Sequence, residues 1–241
     1  MTGAAVAAFL SDGRLHLQHG PIDLIIEANG DAKEISIAYD AMAKRFETVL
    51  DELVFELATL REEVSSADNA KSSIARRMII AARKFNDEFV TPMAAVAGSV
   101  ADEIVEIGWT SSSLKKLYVN NGGDIAFRVD SGGEVVVGVT KSVIDPTFIG
   151  RLHFSADSNI RGVATSGFGG RSRTFGIADA VTVVSSCAAD ADVAATLIAN
   201  HVSLGDHPQV KVIAANSVDA TSDLGDRLVT SSVGNLTKQE I

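Results

Sequence analysis

The sequence predicts an α+β fold, in which long helices come first, a block of short strands follows and one more helix is inserted near the C-terminus. Apolar residues recur at spacings of three and four through most of residues 32–107, which is typical of amphipathic helices. After Trp109 the pattern changes to short alternating segments separated by glycine-rich turns, and a helical pattern returns at Ala188–His201. Segregated helices and strands indicate α+β rather than a regularly alternating α/β sheet.

The N-terminal half is predicted to be mostly helical. Residues 14–27 first alternate apolar and polar on either side of Gly20-Pro21, which predicts a hairpin of two strands. A long helix is expected over residues 32–64, with an apolar face and a charged face. Residues 72–85 and 92–107 repeat the helical pattern, and the second segment opens with a proline, which is typical of a first turn.

The second half is predicted to consist mainly of short strands. Two of them are expected within residues 210–233, around a polar turn at 221–225. The opening MTGAAVAAFL lacks a basic region and is followed by polar SDGR, so we expect a short ordered or frayed terminus rather than a signal peptide. The other predicted strands are residues 117–119, 125–129, 135–139, 152–155, 162–165 and 180–184.

Composition limits the classes of function. The chain has 31 acidic and 21 basic residues and a formal charge of −10, which disfavours a nucleic-acid partner because no surplus of cations can neutralise phosphates. No apolar run approaches the roughly 20 residues that cross a bilayer, so we expect a soluble cytoplasmic protein without a membrane partner. The length fits one domain over residues 1–241, with a helix-rich part at 1–110 and a strand-rich part at 111–241 as a possible subdivision.

Cys187 is the single cysteine of the chain. It leaves no internal disulfide to form, which fits a reducing cytosol. Two interpretations stay open for it, a buried small residue and a nucleophile. The five histidines show no metal-ligand spacing and no recognisable Ser/His/Asp arrangement.

The stretch VNNGGDI carries amides, glycines and an acid where a strand begins. Gly122 and Gly123 permit positive φ and carry no side chains, so their backbone amides could face a ligand closely. The side chains of Asn120, Asn121 and Asp124 could then orient that ligand. Because Asn-Gly is also the commonest hairpin signal, the residues alone leave open both a ligand site and a tight turn.

In GVATSGFGGRSR, a predicted strand runs into a glycine-rich loop that ends in Arg171 and Arg173. Hydroxyls, glycine amides and guanidinium groups are the groups that hold phosphate or carboxylate oxygens. The stretch has neither the ending of a P-loop nor the spacing of a dinucleotide fingerprint. An anion site and a solvated hairpin with surface arginines are both compatible with it.

The stretch ADVAAT places Asp192 and Thr196 four residues apart, on one face of the predicted helix. A carboxylate and a hydroxyl are hard oxygen ligands of the type that magnesium or calcium accepts. An aspartate in a first helical turn more often interacts with the helix dipole, so both interpretations stay open.

Taken in this order, VNNGGDI, VATSG and ADVAAT resemble the ApbE-like superfamily, whose best-known members are flavin transferases. HLQHGPIDLIIEANG, VTPMAAVAGSVADEI, GIADAVTVV and DLGDRLVT resemble a widespread prokaryotic UPF-type branch of it, so the likeness covers nearly the whole chain. The resemblance implies an ApbE-like (T-fold-like) domain with long N-terminal helices packed on an antiparallel β-sheet. It also implies a small phosphorylated ligand, FAD with Mg²⁺, held between the glycine-rich strand ends and the last helix, with FMN transferred to a threonine hydroxyl of a target protein.

The site residues are carried over from the superfamily position by position. Its metal-binding aspartate and threonine correspond to Asp192 and Thr196, and the two arginines of the second loop could contribute anion binding. The residues implied to bind the cofactor are Asn121, Gly122, Gly123, Asp124, Ala164, Thr165, Ser166, Gly167, Arg171 and Arg173.

Two departures from the superfamily pattern concern groups expected at its site. Ala97-Gly98 stands where the superfamily usually has a lysine-glycine pair, and GGRSRTFGIADA replaces its His-x-x-Asp-Pro segment. Two readings therefore stay open, an FMN transferase and a non-catalytic binding or accessory protein that keeps the scaffold. Long apolar helix faces and short strand edges predict a homodimer.

Overall fold

A seven-stranded antiparallel sheet with helices packed on it confirms the α+β class. The computed structural model describes residues 3–67, 70–140, 147–170 and 172–240. The strands are β1 (Val6–Phe9), β2 (Leu15–His19), β3 (Ile22–Gly30), β4 (Leu114–Asn121), β5 (Asp124–Val129), β6 (Glu134–Thr140), β7 (Phe148–Ser155), β8 (Gly162–Ser166), β9 (Val181–Ser185), β10 (Val210–Ala214) and β11 (Leu228–Val233). The helices are α1 (Ala32–Phe55), α2 (Leu57–Leu60), α3 (Ser73–Arg83), α4 (Val96–Ser111, entered through a 3-10 turn at Pro92–Ala95), α5 (Ala188–His201) and α6 (Ala215–Val218).

The large sheet has the strand order β1–β2–β3–β4–β5–β8–β9, and its neighbours pair antiparallel. Residues along β2 alternate between buried and part-exposed, which confirms the predicted opening hairpin with β3. Between β5 and β8 the chain leaves this sheet to form β6 and β7. The predicted strands therefore do not all pair in sequence order.

The long helices form a layer on one face of the sheet. α4 packs on β4 and β5, α1 lies beside it over β2 and β3, and α5 covers β8 and β9. α3 packs against α4 and α5. None of the helices in the described ranges combines the length and apolarity that crossing a bilayer requires. Fully buried side chains of the core between sheet and helices include Leu17, Ile26, Met42, Phe46 and Ile104.

β6 and β7 form a separate hairpin on the opposite face of the sheet. Alternation along β5 places Ala126 in the core under the helices and Phe127 in a second apolar cluster with the hairpin. Phe127 stacks on Phe154 of β7 with ring centroids 5.3 Å apart. This packing fixes the hairpin beside β5, at whose start the candidate site lies.

The predicted long first helix is interrupted. It ends at Phe55, and after Glu56 the short α2 reaches only to Leu60. The carboxylate of Glu56 accepts hydrogen bonds from the backbone amides of Lys71 and Ser72, at the start of α3. Leu60 is nevertheless buried, so the apolar spacing continues through the break and conceals it in the sequence.

The first ten residues contain a strand that the sequence did not reveal. Val6–Phe9 pairs with β2 and forms one edge of the large sheet. All four residues are exposed, so no face of this strand is selected for apolar side chains. Without that alternation a strand has no period-two signal.

Candidate functional site

Two adjoining cavities lie beside the first turn of α4, where β4 and β8 end and β5 begins. The larger has a volume of about 600 Å³ and the smaller about 340 Å³. Ala97, Asp124 and Ser172 line both, so the cavities meet at these residues. The three stretches singled out in the sequence, which lie far apart along the chain, all contribute to this one region.

The turn between β4 and β5 forms part of the wall of the larger cavity. Asn121 pairs with Asp124 across the strands, which leaves a loop of only Gly122 and Gly123, with φ of 65° and 117°. Positive φ at two successive loop residues favours glycine at both. A Cβ added at Gly123 would meet no atom within 4 Å, so the backbone there faces open space. The tight turn and the cavity wall are thus the same structure.

Side chains of this turn connect it to its neighbours. The Asn121 Nδ2 donates to the carbonyl oxygen of Ala97 at 3.1 Å, which holds the turn against α4. The backbone N–H of Thr165 donates to Asp124 Oδ1 at 3.2 Å, and the Thr165 hydroxyl lies 2.8 Å from that of Thr182. The end of β8 is therefore fixed against both the turn and the edge strand β9.

Only part of the stretch VATSG contributes to the lining of the cavities. Thr165 and Ser166 line the larger cavity, whereas Ala164 and Gly167 are buried and line neither cavity. A Cβ at Gly167 would lie 2.8 Å from the Ala178 carbonyl oxygen, so this glycine permits close packing of the loop. Ligand contacts at Ala164 and Gly167 stay a prediction.

Of the two arginines in this loop, the structure describes one. Arg173 lines the smaller cavity, together with Arg61 from the segment that follows α2. Arg171 lies outside the described residues. The proposed anion-binding role of the loop thus depends, in the described chain, on Arg173.

Two buried carboxylates each bind the first turn of the opposite helix. Asp192 on α5 accepts a hydrogen bond from the Gly98 N–H at the start of α4, at 3.0 Å. Asp102 on α4 accepts from the N–H groups of Ala188 and Ala189 at the start of α5, at 3.1 and 2.9 Å. Free backbone amides and the helix dipole both favour a carboxylate there. We call this pair the reciprocal caps.

Close contact between the helices makes these bonds possible. A Cβ added at Gly98 would lie 2.4 Å from the Ala188 carbonyl oxygen. A Cβ at Gly162 of β8 would lie 2.2 Å from the Ala188 nitrogen. Glycine at both positions therefore lets α4, α5 and the sheet approach to backbone contact.

Asp192 and Thr196 both line the smaller cavity, as their spacing on one helix face predicts. Burial and the nearby Asp124 carboxylate raise the pKa of Asp192 well above its ordinary value. The Thr196 hydroxyl donates to Ser166 Oγ at 3.4 Å. A cation next to Asp192 would offset both effects that raise its pKa, and carboxylate and hydroxyl oxygens suit Mg²⁺. Among the described residues, however, no three His, Cys, Asp or Glu side chains cluster around one point.

Cys187 is not part of the cavity lining in the described chain. It occupies the residue before α5, and burial raises the pKa of its thiol to about 11. A thiol that stays protonated at neutral pH is a poor nucleophile. The structure therefore favours the interpretation of Cys187 as a small packing residue.

Several residues of the smaller cavity were not anticipated from the sequence. Asn200 lies four residues beyond Thr196 on α5, and Phe89 and Phe175 form an apolar wall. Asn200 could have been found by extending the four-residue spacing of ADVAAT by one more turn. No pattern in the sequence predicted Phe89 and Phe175 as cavity residues, because they lie in segments without regular periodicity.

Comparison with known proteins identifies a family. The model of the family described as AbpE bacteria matches residues 7–241. A UPF0280 protein of Methanopyrus kandleri is 35% identical over 207 residues, which are 84% of this chain and 80% of the relative. One of Methanosarcina barkeri is 39% identical over 133 residues, 55% of this chain and 50% of the relative.

A third relative, a UPF0280 protein of Methanothrix thermoacetophila, is 33% identical over 187 residues, 76% of this chain and 75% of the relative. The family match thus covers nearly the whole described chain, and two of these alignments extend over more than two thirds of both partners. The chain belongs to the AbpE bacteria family and has UPF0280 proteins among its relatives.

Proposed function

We propose that this protein binds a small phosphorylated molecule across the two adjoining cavities, in the manner that its resemblance to the ApbE-like superfamily implies. FAD with Mg²⁺ is the first ligand pair to test. One observation supports the proposal above the others, namely that the three separate stretches of the resemblance meet around one continuous space at Asp124. A set of unrelated turns has no reason to converge in this way.

The larger cavity has the chemistry of a small-molecule site. Ile125, Val137 and Val163 supply apolar walls, and hydroxyl and amide groups from β4, β8 and β9 lie between them. Its volume of about 600 Å³ falls within the range usual for ligand pockets. Such a lining suits a sugar whose polar edge needs a few directed hydrogen bonds.

The charged side chains of the smaller cavity indicate that a phosphorylated ligand would bind together with a cation. Four aspartates line it against two arginines, so phosphate oxygens alone would meet net negative charge. In this proposal the Asp192 carboxylate and the Thr196 hydroxyl would hold Mg²⁺, because carboxylate and hydroxyl oxygens are ligands that this ion accepts. When bound, the ion neutralises charge on the pyrophosphate.

Binding of FAD and transfer of FMN are separable. Ala97 stands where the two cavities meet, at the position where the superfamily usually has lysine. No histidine, lysine or cysteine lines either cavity in the described chain. These observations favour the second reading, a protein that binds the ligand without transferring it. Incubation with FAD, Mg²⁺ and a threonine-containing acceptor, followed by in-gel flavin fluorescence, decides between them, since a fluorescent acceptor establishes transfer.

Calorimetry with FAD tests the binding itself. We expect heat of binding that increases when Mg²⁺ is added, and a Thr196→Val variant that loses about tenfold of the Mg²⁺-dependent affinity. Thr110→Val is the matched control, because Thr110 lies at the far end of α4 and its hydroxyl bonds only backbone oxygens. Absence of heat with wild-type protein, with and without Mg²⁺, would show that FAD is not the ligand.

A further inference from the structure

We infer that the smaller cavity recognises a planar nitrogen heterocycle of nucleobase type, and that the side-chain amide of Asn200 is the group that selects it. This inference rests on the binding function proposed above and names the part of the ligand that the smaller cavity takes beside Mg²⁺ and phosphate. It depends on three features of the smaller cavity: a polar stripe on α5, the fixed orientation of one amide, and an aromatic wall.

The polar stripe consists of Asp192, Thr196 and Asn200, spaced four residues apart on α5. All three line the smaller cavity. The remaining buried positions of this helix are alanine, valine and leucine. Since residues four apart share a helix face, the stripe presents a carboxylate, a hydroxyl and an amide in a row along the cavity.

Hydrogen bonds fix which way the Asn200 amide points. Its Oδ1 accepts from the Thr174 hydroxyl at 2.8 Å and from the Phe175 backbone N–H at 2.9 Å. A backbone N–H can only donate, so the atom facing it must be the amide oxygen. The Nδ2 atom then lies on the other side, and it has no hydrogen-bond partner in the described part of the chain.

Thr174 makes this arrangement rigid. It is only 4% exposed, and its hydroxyl also accepts a hydrogen bond from the Gly176 N–H at 3.1 Å. Because Asn200 Oδ1 carries no hydrogen, the Thr174 hydroxyl is the donor in the bond between them. Asn200 is thus held with two N–H donors available to a ligand in the cavity, at no further ordering cost.

An aromatic wall faces the same space. Phe89 and Phe175 line the cavity with ring centroids 6.4 Å apart. The guanidinium of Arg227 lies 3.3 Å from the Phe89 centroid and holds that ring from one side. No aromatic side chain lines the larger cavity in the described ranges. Flat rings contact aromatic walls favourably, so the heterocycle belongs in the smaller cavity.

Electrostatics also favour the ring over a phosphate group at this end. The carboxylates of Asp219 and Asp223 lie in the cavity lining, and Asp223 accepts a hydrogen bond from Thr91 there. An uncharged ring with a nitrogen or carbonyl acceptor on its edge meets no repulsion from them and accepts from Asn200. The Asn200 end of this cavity of about 340 Å³ takes the ring, and its Asp192 end takes Mg²⁺ with a phosphate group.

The test compares Mg·ADP with Mg·pyrophosphate, which lacks the base, as calorimetric probes. Wild-type protein is expected to bind ADP more tightly. Asn200→Leu removes the NH₂ donors without adding charge to the cavity, so ADP affinity should fall at least about tenfold. Pyrophosphate affinity should stay within about twofold.

A second variant protects the test against a folding defect in the first. Phe175→Leu keeps the backbone N–H that orients Asn200 and removes only the ring, so it too should weaken ADP selectively. Equal binding of both probes, or an equal loss for both in the variants, would overturn the inference while leaving the proposed function in place. Failure of both probes to bind wild-type protein would instead count against the proposed function.

Discussion

Substitution of Gly98 by alanine should separate α4 from α5 and destabilise the protein. The added Cβ would lie 2.4 Å from the Ala188 carbonyl oxygen, although Cβ contacts below 3.0 Å essentially never occur. The helices must therefore move apart by about 0.6 Å at their closest point. That movement also stretches the reciprocal caps, which cross between the same two helix ends.

The magnitude follows from three contributions. Overpacking of a close contact costs about 1–3 kcal/mol, and weakening charge-assisted hydrogen bonds costs about 1.5–3 kcal/mol more. Alanine is a better helix former than glycine by about 1 kcal/mol, which offsets part of this. We expect a net loss of about 1.5–5 kcal/mol, or about 3–20 °C in Tm for a chain of this size.

Thermal unfolding followed by circular dichroism at the helix signal measures the effect. Gly150→Ala is the matched control, because an added Cβ at that position in β7 meets nothing within 4 Å. Its free energy of unfolding should change by no more than about 0.5 kcal/mol. If Gly98→Ala unfolds at the wild-type temperature or above, the close helix contact is not as tight as described and the reasoning fails.

Four further outcomes are expected. In urea unfolding, Asp192→Asn should be more stable than wild type at pH 8, and the difference should disappear toward pH 4. The reason is that the pKa of Asp192 is raised in the folded protein. Such a group stabilises the fold below its pKa in the unfolded chain, and this contribution is lost as the pH rises through its pKa in the folded protein. Gly122→Ala should cost about 1 kcal/mol in the same assay because φ is 65°. Glu103→Leu should cost about 3 kcal/mol, since it leaves the partly buried Arg45 without one of its two carboxylate partners. Cys187, with a pKa of about 11, should react with a thiol reagent at pH 8 much more slowly in the folded protein than in urea.

Regular periodicity made most of the fold predictable. The helical spacing identified α1, α3, α4 and α5, because each must bury one face, α3 against α4 and α5 and the other three also against the sheet. The features that the sequence did not predict lack a periodic pattern of apolar residues. The exposed strand Val6–Phe9 has no buried face, and the Glu56 carboxylate at the break binds the amides of Lys71 and Ser72, which lie 15 and 16 residues further along the chain.

The candidate site was predictable in location more than in detail. The two adjoining cavities are lined by residues of VNNGGDI, VATSG and ADVAAT. The sequence did not show that Ala164 and Gly167 are buried packing positions. The aromatic wall of the smaller cavity arises only when segments more than 80 residues apart meet, as for Phe89 and Phe175. The homodimer stays a prediction, which size-exclusion chromatography can test.

The reciprocal caps also bear on when the site forms during folding. Gly98 and Asp192 lie 94 residues apart in the chain, and Asp102 and Ala188 lie 86 apart. Contacts of such long sequence separation close large loops and are slow to form. We therefore expect the ligand site, which these contacts hold together, to be completed late in folding. A ligand of this site therefore binds the fully folded protein and not a partly folded chain. By mass action, such binding stabilises the folded state.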